Sequence, residues 1–306
     1  MQDVEWKIMW KIHLITLYCA VCKYYDTILH VEMQRLTNNS RPQFSDQEMI
    51  TVYLWGTLQG LLDVKAIYTY TSRHLKEWFP ALPSYQAFDR RFGDLCMAFA
   101  RLAECLVDSR GSDGYDLNSL IVDSLPIWLA RMSRSDHAKV AREICAKAYN
   151  ASRDEWYYGI KLHAIVQDRY KKLPALHVAA LSPANAHDLP NPKQAMDLLG
   201  IWEGTLFGDK AYVDSEWAHT LLDVNHLKLA TPHRRTRGEV DPFPGGNAAE
   251  TFISSIRQKV EIFFNWLNAK TGIQSASKVR SLKGLLSRTF GKLAAALASL
   301  AFDFDP

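Results

Sequence analysis

Two aspartates stand at matching places in this chain. Leu120-Ile121-Val122 lead into Asp123, and Leu206-Phe207-Gly208 lead into Asp209. Short apolar runs of this kind belong in the middle of a covered sheet. In such sheets ligands gather beyond the carboxyl ends of the strands. Two carboxylates there offer hard oxygen donors suited to Mg²⁺ or Mn²⁺. Either aspartate alone serves as well for a helix N-cap; the repetition argues for metal. A third acid is expected from the helical segment that begins near Asn247, which holds Glu250 and Glu261. The two glutamates are nearly a whole number of turns apart and project from one face, yet lie about 16 Å from each other along the axis. They cannot both reach one metal pair. Arg257 stands one turn before Glu261, and as a simple helix ion pair this order contributes only tenths of a kcal/mol.

The elements that must position these groups follow from the pattern around them. After the turn-rich stretch Arg110-Gly-Ser-Asp-Gly114 the character changes from helical to strand-like. Ser119–Asp123, YYGIKLHAIVQD, LPALHVAALS, Thr205–Asp209 and HLKLATP read as strands. Helices are expected from Ala186 to Leu199, near Asp214–Asp223, and from Asn247 onward with a break at Thr271-Gly272. That order makes an α/β domain with a mixed sheet flanked by helices. The glutamate helix carries its own apolar stripe, Ile253, Ile256, Val260, Phe263 and Leu267, with Glu261 beside it.

The first hundred residues read as an all-helical domain. Ser45-Asp-Gln-Glu48 is a capping box opening an apolar run through Leu62. VKAIYTYTSRHLKEWFP is helical and ends at Pro80, and Pro83-Ser84 starts another helix with Tyr85, Phe88 and Phe92 at helical spacing. Two short helices about a Pro-containing turn, the second with Gln86, Arg90 and Arg91, have the form of a helix-turn-helix reader, a form that plain helical packing units share. The boundaries drawn on this basis are a helical, DNA-binding domain over 1–112 and a catalytic domain with terminal helices over 113–306.

Composition limits the alternatives. A hydrophobic share of 48% and a charged share of 23% over 306 residues are ordinary for a folded globular chain. No apolar run reaches the roughly 20 residues needed to cross a bilayer. MQDVEWK lacks the pattern of a secretory signal, so a cytoplasmic, nucleoid-associated protein without membrane partners is expected. Cys19 and Cys22 form a C-x-x-C without a second pair to complete a zinc site, and all five cysteines read as buried reduced thiols. The net charge of +3 is modest, but from Ile262 to Phe302 there are six Lys and Arg and no Asp or Glu. Such a face suits a polyanionic partner. Arg234, Arg235 and Arg237, between the last strand and the glutamate helix, suit phosphate contact without sequence readout. His163, His177 and His187 lack paired metal-ligand spacing and read as structural.

Taken in order, IVDSLPI around Asp123, YYGIKLH from Tyr157 to His163, FGDKAY around Asp209 and RQKVEIFFNWLN around Glu261 resemble the DDE transposases of bacterial insertion sequences. SASKVRSLKGLLSRTFGKLAAAL resembles the family's terminal helices, and YLWG and LKEWFPALPSYQAF extend the likeness into the N-terminal part. The resemblance implies a ribonuclease H-like sheet, Asp–Asp–Glu catalysis and action on element ends. The family pattern near the glutamate is Tyr, two residues, Arg, three residues, Glu, six residues, Lys. Arg257 and Glu261 fit it and favour Glu261 over Glu250, whereas Ser254 and Asn268 replace the Tyr and Lys.

The implied site is therefore Asp123, Asp209 and Glu261, holding two Mg²⁺ or Mn²⁺ ions that serve an in-line displacement at phosphorus. Lys210 and Arg257 are expected to steady phosphates, and Tyr212 to lie near the DNA or in the core. The partners are double-stranded DNA, as element ends and target, and further copies of the chain in a dimer or larger assembly on DNA. Two alternatives stand beside this reading: a stand-alone metal-dependent nuclease served by the same three acids, and a catalytically silent transposase-derived DNA-binding protein that keeps the basic surfaces but need not keep all three acids.

Overall fold

A computed structural model describes residues 2–32, 42–108, 115–151, 153–188, 202–233, 247–276 and 278–304. The chain divides into two compact units, Met1–Arg110 with Leu267–Pro306, and Gly111–Trp266. By this division the segment from Leu267 onward groups with the N-terminal helices, whereas the expected boundaries placed it with the catalytic domain.

The helical unit contains α1 (Gln2–Tyr24), which runs on through a π-helical turn at Tyr25–Leu29, then α2 (Asp46–Leu58), α3 (Val64–His74), α4 (Tyr85–Asp94) and α5 (Cys96–Asp108). The capping box at Ser45 forms as read, with the Ser45 hydroxyl accepting from the Glu48 N–H and Glu48 accepting from the Ser45 N–H. Asp63 and Ser84 cap α3 and α4 in the same way, each satisfying an amide that the helix itself leaves unpaired. The returning helix α8 (Leu282–Ala301) packs against α2, α4 and α5. Its small residues at 294–296 are fully buried, and the Ser287 hydroxyl donates to the Phe92 carbonyl. The basic character of this segment thus sits on a helix whose other side completes a core.

Among the described residues the α/β unit is built on a six-stranded mixed sheet: β1 (Tyr115–Arg131), β2 (Ala146–Asn150), β3 (Glu155–Arg169), β4 (Ala175–Pro183), β5 (Gly204–Phe207) and β6 (Leu227–Ala230). β3 lies antiparallel to β1 on one edge and to β2 and then β4 on the other, while β1, β5 and β6 are mutually parallel neighbours. β1 does not end at Asp123 as the sequence suggested. It runs on to Arg131 because β3 continues to pair with it, and this longer ladder needs Gly159, where any Cβ would stand 2.0 Å from the Ile127 carbonyl oxygen. β2 had no counterpart in the sequence reading.

The sheet has two different faces. Leu120, Val122, Ile165 and Leu206 pack with Tyr212, Trp217, Leu221 and Leu227, which brings α6 (Ser215–Asn225) onto that face. The alternate residues Ile121, Asp123 and Phe207 point the other way, as strand geometry requires. There α7 (Ala248–Thr271) meets them: Phe252 contacts the Phe207 ring at 6.1 Å between centroids, and Lys259 is ion-paired with the buried Asp168 of β3. The helix stops where the sequence predicts, at Gly272 with a φ of +57°, a conformation glycine adopts without penalty. The boundary between the two units falls within α7. Part of the helix expected over residues 186–199, and the Arg110–Gly114 turn, lie outside the described residues. None of the five cysteines is in a disulfide; Cys96, Cys105 and Cys145 are buried, but Cys19 is exposed, which corrects its reading as a buried thiol.

Candidate active site

Parallel pairing sets Ile121 opposite Phe207. Two residues further on stand Asp123, still within β1, and Asp209, in the turn just past the end of β5; they are near enough that the charge of Asp209 acts on the Asp123 carboxyl. Asp123 sits where β1 loses β5 as a neighbour, since β5 ends at Phe207. Its Oδ1 accepts from the Ser124 N–H at 2.8 Å, and the Arg257 guanidinium stands 4.0 Å from its Oδ2. Burial pushes the Asp123 carboxyl up to about 6, with the Ser124 N–H and Arg257 opposing and the charges of Asp209 and Asp188 adding to the rise. A carboxylate so placed binds a cation more readily than it stays ionised alone.

Asp209 is half-buried and caps the short 3-10 turn Lys210–Tyr212, its Oδ1 accepting from the Ala211 N–H at 2.7 Å. The helix-cap role weighed for an aspartate of this type is real for Asp209. One carboxylate oxygen remains for other partners. Lys210 projects into solvent on the same turn. Tyr212 is core, 1% exposed and packed against Trp217. Its hydroxyl is buried without a hydrogen-bond partner among the described residues. Burial, together with Asp123, Asp188 and Asp209, holds that hydroxyl protonated far above its ordinary range.

The glutamates behave differently. Glu250, in the first turn of α7, accepts from the His233 backbone N–H at 3.3 Å. Glu261 lies one turn beyond Arg257, about 6 Å further along the axis, and is exposed. Among the described residues no three His, Cys, Asp or Glu side chains are gathered for a metal ion. The structure thus brings Asp123, Asp209 and Arg257 together and leaves Glu261 apart from them. Ser254, at the expected Tyr position, is exposed, and Asn268, at the expected Lys position, accepts from the Gln274 N–H. Arg234, Arg235 and Arg237 lie outside the described residues.

Two features had not been read from the sequence. Asp188, beyond the end of β4, is ion-paired with Lys161 at 2.9 Å and adds its charge to the field at Asp123, His163 and Tyr212. It obeys the rule that picked out the other two aspartates, an acid past a strand end, but Pro183 and Asn185 break the apolar run before it. The Lys259–Asp168 pair anchors α7 to β3, and ninety residues of sequence hide it. The histidines are structural: His163 bonds to the Ser182 hydroxyl at 2.7 Å and is driven down to about 4 by burial, and His177 bonds to Gln167.

Residues 115–243 match the family described as Transposase DDE domain. Over this span the α/β unit is similar to the DDE domain of transposases. The matched span includes Asp123, Asp209 and Lys210 and ends before Arg257 and Glu261. No curated protein and no solved structure was found to match the chain. The mixed sheet of this unit, with antiparallel strands on one side of β1 and parallel strands on the other, is consistent with a ribonuclease H-like arrangement. No helix among the described residues is long and apolar enough to cross a membrane.

Proposed function

We propose that this chain is a transposase that cuts DNA at the ends of a mobile element and joins those ends to a target. The observation that carries the reading is the nearness of Asp123, on β1, to Asp209, just past the end of the neighbouring parallel strand β5, within the span that matches the DDE domain. Two carboxylates at that spacing, one of them resisting ionisation, fit a divalent cation such as Mg²⁺ or Mn²⁺. Asp123 and Asp209 would hold it; Glu261, exposed and apart from them in this structure, is the further ligand that the family pattern around Arg257 offers. Bound there, two such ions supply Lewis acidity to an in-line displacement at phosphorus.

The chain's own residues do the rest. Ser124 fixes the Asp123 carboxylate through its backbone N–H, and Ala211 fixes Asp209, so each presents a defined free oxygen. Arg257 balances the charge on Asp123 until a cation is present, and then serves a phosphate oxygen bidentately, the use to which a guanidinium is best suited. Lys210, and Arg234, Arg235 and Arg237 from the segment before α7, contact the DNA backbone. Water as attacking group gives cleavage; a 3′-hydroxyl in its place gives joining. Both displace an oxygen at phosphorus, so one site serves both.

The test compares Glu261→Gln with Glu250→Gln on an element-end duplex in Mg²⁺, at equal protein. Glu261→Gln should lose cleavage and joining at least a hundredfold while DNA affinity stays near wild type. Glu250→Gln should cut within a few-fold of wild type. A dead Glu250 variant beside an active Glu261 variant would show the wrong glutamate was chosen.

One observation favours a second reading. Arg257 stands against Asp123 where a cation would go, and Glu261 is exposed. A catalytically silent DNA-binding protein would tolerate that arrangement, and it predicts no metal-dependent cutting of any duplex by the wild-type chain.

A further inference from the structure

The helical unit holds an open cavity of about 650 Å³ between α3, α4 and the start of α8. Lys65, Arg90, Lys278, Arg280, Lys283 and Arg288 line it, against three carboxylates. Two of those are already engaged, Asp63 with Lys278 at 3.0 Å and Asp94 with Lys283 at 2.8 Å. Asp89 is the third. Lys65, Arg90 and Arg280 are exposed at this surface. A second, shallower groove shares Asp63, Lys65 and Lys278 and continues along α3 past Tyr70 to Arg73 and His74. From Lys65 to Arg73 the helix alone spans about 12 Å.

We propose that this composite cleft is a docking surface for the phosphate backbone of duplex DNA. The cations come from parts of the chain some two hundred residues apart, yet they face one opening. They are strung along it rather than converging on one point, which fits a line of phosphates better than a single small anion. The lining carries no buried side-chain anchor for a base edge, so the surface reads charge and not sequence. The helix-turn-helix reading of α3 and α4 is revised accordingly. Arg91 does not face DNA but is bonded to the buried Asp46, its Nε 2.7 Å from Oδ1. Arg90, its neighbour, lines the cleft, and its partners there are the arginines of the C-terminal segment.

The inference rests on the reading of DNA as substrate but not on catalysis, and the experiment keeps the two apart. Full-length protein in EDTA is titrated against labelled 30-base-pair duplexes of two unrelated sequences between 50 and 200 mM KCl. Each cation that contacts a phosphate adds about 0.9 to the slope of log affinity against log salt. The triple variant Lys65→Gln, Arg90→Gln, Arg280→Gln should lower the slope by about 2 to 3 and weaken both duplexes at least tenfold in 50 mM salt. The charge-keeping variant Lys65→Arg, Arg90→Lys, Arg280→Lys should retain the wild-type slope. Lys11→Gln, Lys23→Gln, Lys76→Gln, a charge-matched change elsewhere on the same unit, should leave it unchanged.

In the wild-type chain, saturating duplex should shield Lys65 from amine acylation while Lys11 and Lys23 stay reactive. An unchanged slope in the first triple variant, equal labelling of Lys65 with and without DNA, or displacement of duplex by polyglutamate, inorganic phosphate or ATP at equal charge would overturn the proposal. Wild-type protein that shows the expected slope and protection but never cuts DNA upholds the cleft and removes the transposase reading. Cutting by wild type, with slopes that ignore the cleft, does the reverse.

Discussion

Replacing Asp123 by Asn should stabilise the metal-free protein at neutral pH. The carboxyl is held near 6 in the folded chain, against an ordinary value of 3.8. The folded state therefore keeps its proton more tightly than the unfolded state does, and stability falls as pH rises from about 3.8 to about 6. The cost is fully present above that window and absent below it. At about 1.4 kcal/mol per unit the difference corresponds to roughly 3 kcal/mol. The side chain is 21% exposed, so water screens part of this, and about 1 to 3 kcal/mol is expected. An Asn side chain keeps the oxygen that accepts from Ser124 and carries no charge to desolvate. In EDTA at pH 7.5, urea unfolding followed by tryptophan fluorescence should show the variant about 1 to 3 kcal/mol more stable than wild type, worth about 2 to 4 °C of melting temperature per kcal/mol. At pH 4 the two should converge. Adding Mg²⁺ at pH 7.5 should raise wild type and leave the variant where it is. A variant that is equal to or weaker than wild type at pH 7.5, with the same gap at pH 4, would refute the idea that the site stores electrostatic strain for a cation to relieve.

Two further outcomes test what surrounds the site. Asp46, 3% exposed, accepts from Arg91 and from the Tyr25 hydroxyl; Asp46→Ala leaves the guanidinium without its partner and should cost about 3 kcal/mol in urea unfolding. Gly159→Ala places a methyl 2.0 Å from a carbonyl oxygen of the neighbouring strand, so β1 and β3 must part, and soluble yield together with the circular-dichroism signal for strand should collapse.

The pieces legible in the sequence were those whose cause is local. Ser45 and Ser84 cap their helices because a short oxygen side chain satisfies the amides just after it. Gly272 ends α7 because it can turn left-handed. The strands around Asp123 and Asp209 were found because covered strands are written in consecutive apolar residues, and their shared ending marked both aspartates before any pairing was known. β2 was missed because its alternation, AKAYN, is that of a half-exposed edge strand and too short to rise above turn sequence. The extension of β1 to Arg131 was missed because it depends on β3 and on the absence of a side chain at Gly159.

What the sequence determined by itself is where the short apolar strands leading to the two aspartates lie, since period and composition act within a few residues. Tertiary structure alone decided which groups meet. It put Arg257 rather than Glu261 against Asp123, because α7 is fixed to the sheet by Phe252 on Phe207 and Lys259 on Asp168. It gave Arg91 to Asp46 and Arg90 to a cleft shared with Arg280, although the two arginines are adjacent and alike in sequence. Neighbouring residues on a helix point about 100° apart. Which direction is interior is settled only when a helix from the far end of the chain packs beside it.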